Sequence, residues 1–110
     1  MNTVEVLKAA RALIADEAHW AQGFYAVNAD GNVTDPFCED ACKFCSVGAV
    51  ANVLGIYGSE AEDHDIIRQL NHAAGYFSDS ADIVGFNDNY THDEVLTVFD
   101  RAIEHAGGAA

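Results

Sequence analysis

Apolar side chains recur at helical spacing in three stretches of this chain and surround a fourth. Val4, Leu7, Ala10 and Ile14 fall three or four residues apart, which predicts an amphipathic helix over 3–15. Asn2 and Glu5 form a capping pair at its start. Between Pro36 and Leu54, apolar or small residues lie on every side from Phe44 onward, as on a helix enclosed by protein. Asp35 as N-cap, Pro36 in the first position and Gly55 at the end predict a central helix over 36–54. Ser59 and Glu62 read as a capping box for a third helix. Ile66, Ile67 and Leu70 form its stripe, and Gly75 closes it. Thr91 and Glu94 cap a fourth, carried by Val95, Leu96, Phe99, Ala102 and Ile103 and stopped at Gly107-Gly108.

Two stretches lack that period. Phe24 to Val27, the turn signal Asp30-Gly31, and Val33-Thr34 predict a small β-hairpin near 24–34. Residues 76–90 are the least regular. Ile83-Val84 reads as a short strand or a buried extended piece, Phe86 as an anchor and Asn87-Asp88-Asn89 as a polar turn. The expected fold is a mostly helical α+β domain spanning 1–110. About four helices gather round the central helix 36–54, with the hairpin between the first two.

Charge changes this picture most. Eighteen acids face five bases, for a formal net charge of -13. Such a field repels nucleic acid and anionic membranes and attracts a basic protein partner. No segment approaches the length of a membrane span. The N-terminus carries an acid and no apolar core of a signal peptide. Three cysteines in such a chain point to free thiols in a reducing, cytoplasmic setting.

Candidate chemistry centres on the cysteines. Cys38-x3-Cys42-x2-Cys45 has the spacing of a radical S-adenosylmethionine cluster, but this chain has no room for the large barrel such enzymes use. On a helix the outer two thiols would stand about 10 Å apart, too far for one ion. Small buried hydrophobes explain them more simply. Cys45 is also a candidate nucleophile, with His19, His64, His72, His92, Asn87 or Asp88 as partners. With the helix starting at Pro36, Cys45 would sit more than two turns in, where the helix dipole gives little. Asn28, Asp30, Asn32, Thr34 and Glu39 follow calcium-loop offsets, yet Val33 stands where the turn glycine belongs. The histidines form no zinc pattern, and no cofactor is implied.

Several segments taken together resemble a known family. They are Trp20-Ala-Gln22-Gly23 with Tyr25-Ala26, the turn Ala29-Asp30-Gly31-Asn32, Phe44-Cys45-x-x-Gly48-Ala49, Asn87-Asp88, and the run from Thr91 to Ile103. Their order is similar to that of small bacterial and phage proteins grouped as a domain of unknown function. That family usually has tryptophan where Phe86 stands, and Cys38 and Cys42 are outside its pattern. The resemblance implies a shared compact fold and no activity. Two functions follow as expectations. One is a non-enzymatic interaction or accessory protein, of which a phage-type inhibitor is one form, binding a basic protein surface. The other is a small enzyme or ligand-binding protein with a pocket at Cys45, Trp20, Gln22, Asn87 and Asp88. A homodimer through Tyr57, Tyr76 and Phe77 stays open.

Overall fold

Asn2 starts the first element by accepting a hydrogen bond from Glu5 N at 2.9 Å while Glu5 reaches back to Asn2 N. The computed structural model describes residues 1–77 and 82–107. In chain order it shows α1 (Thr3–Leu13), a 3-10 turn (Glu17–His19), β1 (Ala26–Asn28), β2 (Ala41–Phe44), α2 (Ser46–Leu54), α3 (Gly58–Ala61), α4 (Asp65–Ala74), α5 (Ile83–Asn89) and α6 (His92–His105). The class is mostly helical α+β, as expected. Among the described residues no helix is long and apolar enough to cross a membrane.

Helix α2 is central, and Ser46 to Ala51 are all buried. Helix α1 packs on α2 and α6, α4 on α6, and α5 on both α2 and α4. The apolar stripes read from sequence meet here: Leu7, Ala10 and Ile14 from α1, Ile67 and Leu70 from α4, Val95 and Phe99 from α6. Thr91 and Glu94 cap α6 reciprocally, and the Thr91 hydrogen bonds hold the exposed Glu94 carboxyl below its usual range.

The central helix begins ten residues later than predicted. Asp35-Pro36 opens a β-turn instead, with Cys38 N bonded to Asp35 O at 3.0 Å. Asp at the first and Pro at the second position suit a type I turn as well as a helix start. A second turn follows, with Ala41 N bonded to Cys38 O. Residues 41–44 then extend to pair antiparallel with β1, in the register Ala26–Phe44, Val27–Lys43 and Asn28–Ala41. Cys42 is skipped in that ladder, so it forms a bulge. The strand partner of β1 is therefore mainly β2. The expected turn at 28–32 is present, but Val33 returns to β1 by a single bridge, to Val27.

Among the described residues six α-helices stand where about four were expected. The stretch from 59 divides, because His64 turns back and caps α4, its Nδ1 accepting from Ile66 N. The expected strand or extended piece at Ile83-Val84 is helix, with Asp82 accepting from Val84 N and Asn71 from Ile83 N, both at 2.7 Å. Phe86 does anchor it, buried and stacked on Tyr90. Residues 78–81 of the irregular stretch, and Gly108 in the expected helix stop, lie outside the described residues.

Candidate functional site

Cys45 is the N-cap of α2, not a residue two turns inside a helix. Its Sγ accepts from Gly48 N at 3.3 Å, and its own N–H bonds to Tyr25 O at 3.2 Å. The strand-to-helix junction β2–α2 thus places the thiol at the positive end of the central helix. Directly opposite, the last turn of α5 brings Asn87 and Asp88.

Asn87 is buried and fully used. Its Oδ1 accepts from Ser46 N (3.0 Å), Ser46 Oγ (2.7 Å) and Trp20 Nε1 (2.9 Å). Its Nδ2 donates to Ala21 O at 3.0 Å and Asp88 Oδ1 at 3.2 Å. Gln22 Nε2 donates to Asn87 O and Tyr90 O, and Gly23 N donates to Asp88 Oδ1. The five residues singled out from sequence therefore converge. Trp20 and Gln22 stand behind Asn87 and hold it, while Cys45, Asn87 and Asp88 face a cleft of about 340 Å³.

The cleft walls are apolar: Phe24, Tyr25, Val33, Val47 and Val84. These wall residues were missed. Phe24 and Val33 flank the turn at Asp30-Gly31 and remain about half or more exposed, at 53% and 64%. Two large apolar residues beside a polar turn with no stripe to join were the available signal.

Burial pushes the Cys45 thiol up to about 11, and the nearby Asp88 charge pushes the same way, against the lowering effect of the helix amides. No histidine bonds to it among the described residues. His19 Nδ1 meets Cys42 O, His64 caps α4, His92 meets Ile14 O and lies on Trp20, and His72 lies beside Tyr76 and His105. Cys38 and Cys42 line a separate hollow with His19 and Glu39. Among the described residues no group of three or more His, Cys, Asp or Glu side chains can hold a metal ion. Asn28 Oδ1 is committed to the amides of Asp30 and Asn32, so the calcium-like spacing builds a turn.

These environments predict an order of thiol labelling. With maleimide or iodoacetamide on the native protein, half-buried Cys38 and Cys42 are expected to react first. Cys45 should lag at neutral pH, its rate rising toward pH 11 as the thiolate forms. Mass spectrometry of the labelled peptides reads this, and fast labelling of Cys45 near pH 7 would contradict it.

The family described as a family of unknown function (DUF6197) matches the chain over residues 1–105. No curated protein and no solved structure matches it.

Proposed function

The chain belongs to this family of unknown function, and from that premise we propose that it is a non-enzymatic binding domain that docks a basic protein segment at the cleft between α2 and α5. The observation that carries this reading is Asp88 at the edge of an apolar cleft. Its Oδ1 holds Gly23 N and Asn87, and its Oδ2 makes no hydrogen bond among the described residues. An apolar side chain would fill the cleft and a neighbouring lysine or arginine would meet the carboxylate. The rest of the surface favours such a partner. Ion pairing within the chain leaves the net charge at -13, and Arg11–Asp100 and the long Arg68–Asp65 contact occupy only two of the eighteen acids among the described residues, so the negative field acts at a distance. A cytoplasmic setting, with three free thiols, belongs to the same proposal.

The test uses two synthetic hexapeptides with a central Leu-Phe pair, one flanked by lysines and one by glutamates, titrated calorimetrically. The lysine peptide is expected to bind, more weakly as salt rises. Asp88→Asn keeps the Oδ1 acceptor for Gly23 and removes the charge, so it should weaken binding about 2- to 5-fold, the range of an exposed ion pair. Equal binding of both peptides, or of neither, would sink the reading.

The second reading, a small enzyme or ligand-binding protein at the same cleft, is favoured by one observation: Cys45 lies at the α2 N-terminus beside a concave surface. The raised thiol, and the lack of a neighbouring base among the described residues, weigh against a nucleophile. A homodimer draws less support. Tyr57 packs edge-on against Phe37, and Tyr76 stacks with His105 beneath Arg101, so both rings already have partners within the chain.

A further inference from the structure

The cleft is one of two hollows that share a wall. The second, about 420 Å³, is lined by Thr34, Asp35, Tyr57 and Ser59 together with Tyr25 and Val33, and the latter two also line the first. Val33 therefore stands on the ridge between them, 64% exposed.

The backbone at this ridge is an open sheet edge. Val33 bridges Val27 in antiparallel fashion through its neighbours: Asn28 N bonds to Asn32 O at 2.9 Å and Thr34 N to Ala26 O at 3.1 Å. In that pairing Asn32 O and Thr34 N point toward β1, so the N–H and C=O of Val33 point away from it. Neither has a hydrogen-bond partner among the described residues. An exposed pair of strand groups is a template for another strand.

The hollows differ in chemistry. The first is walled by Phe24, Val47 and Val84. The second carries the exposed carboxylate of Asp35 and the Tyr57 ring, which packs edge-on against Phe37 at 5.0 Å. A carboxylate beside an exposed aromatic suits a cationic side chain. Glu62 adds charge nearby, holding the Tyr25 phenol from the other end of the shared wall.

Resting on the binding-domain reading above, we propose that the occupant is an extended segment of a basic protein that adds a strand along Asn32–Thr34. It would bond its main chain to Val33 N–H and C=O. One apolar side chain would enter the Cys45–Asp88 cleft, and a lysine or arginine two residues away would enter the Asp35 hollow. Side chains two apart on a strand share a face, so this spacing lets both enter. Main-chain bonds supply affinity, and the two hollows select the sequence.

The experiment uses a pentapeptide, Thr-Leu-Thr-Lys-Thr, blocked at both ends, with three comparisons. One is N-methylated at the leucine, the residue that lies opposite Val33 and shares its face, one places Leu and Lys adjacent, and one replaces Lys by Glu. The parent should bind and slow the hydrogen exchange of the Val33 amide at least 10-fold. N-methylation and the adjacent spacing should each weaken binding at least 10-fold. Val33→Pro removes an N–H with no partner in the chain, but it also fixes φ and replaces the side chain on the ridge; it should lose binding, and Val33→Ala, which keeps the N–H, should bind within a few-fold of the parent. The N-methyl peptide gives the same answer with the unaltered protein, should that variant fail to fold. If the lysine peptides outbind the glutamate one but methylation and spacing make no difference, strand addition is wrong and the cleft reading survives. If no lysine peptide binds, both fall.

Discussion

Gly48→Ala is expected to remove a large share of the stability of the fold. A Cβ at Gly48 would lie 1.7 Å from Tyr25 O and 2.6 Å from its carbonyl carbon. The obstacle is backbone, so no rotamer relieves it. That carbonyl is also fixed, because it accepts from Cys45 N. Making room means parting α2 from the chain at Tyr25, which would disturb the Cys45 N–H bond to Tyr25 O and open the buried face from Ser46 to Ala51. The cost should reach about 4–5 kcal/mol or more, a large share of the roughly 5–15 kcal/mol that holds a domain together. Gly58→Ala is the internal comparison. Its Cβ would meet the Tyr25 ring at 2.3 Å, a side chain with somewhere to go, and about 1–3 kcal/mol is expected. Urea unfolding followed by circular dichroism reads both. A Gly48→Ala protein as stable as the parent would show that α2 and the backbone of Tyr25 do not meet as described.

Asn87→Leu should be the next most damaging change. The side chains are similar in size, so the effect isolates the lost hydrogen bonds. Ser46, wholly buried, would keep an unpaired N–H, and Trp20 Nε1 and Ala21 O would lose their partner. A buried polar group left unsatisfied costs about 1–3 kcal/mol. These groups share one partner, so the total is on the order of 3–5 kcal/mol and not their sum. Trp20 is the only tryptophan, so its emission reports the site directly during a urea titration. Asn87→Asp separates shape from chemistry. It keeps the acceptor but sets a second carboxylate beside Asp88, so its defect should shrink as pH falls through the carboxylate range and the donor returns. An Asn87→Leu protein with unchanged midpoint would mean the network carries no stability.

The long helices were legible because their signals are local. Capping pairs at Asn2–Glu5 and Thr91–Glu94 and stripes of period 3.6 need no knowledge of what lies opposite. The start of α2 was not legible, because Asp35-Pro36 opens a turn or a helix equally well. The choice falls to β2, whose partner β1 lies across a loop. Helix α5 was missed for a related reason: its N-cap Asp82 is local, but the next amide, Ile83 N, is satisfied by Asn71 of the preceding helix, and seven residues show too little period to read. At the site, the polar residues were legible as a set, since Trp20, Gln22, Asn87 and Asp88 belong to no stripe. Their arrangement was not. Nothing in the sequence says that Trp20 and Gln22 face inward to hold Asn87 while Phe24 and Val33 take the open side.

The Asn87 hub also sets an order of events as the chain is made. Its partners lie 41 to 67 residues upstream, at Ser46, Ala21 and Trp20. A growing chain emerges amino end first. Until α5 has left the ribosome, the first turn of α2 keeps an amide with nothing to satisfy it. The early half of the protein can form its turns and strands, but it cannot close its own centre. The cleft therefore forms only once α5 has been made, and any partner that reads it meets chains that already carry α5.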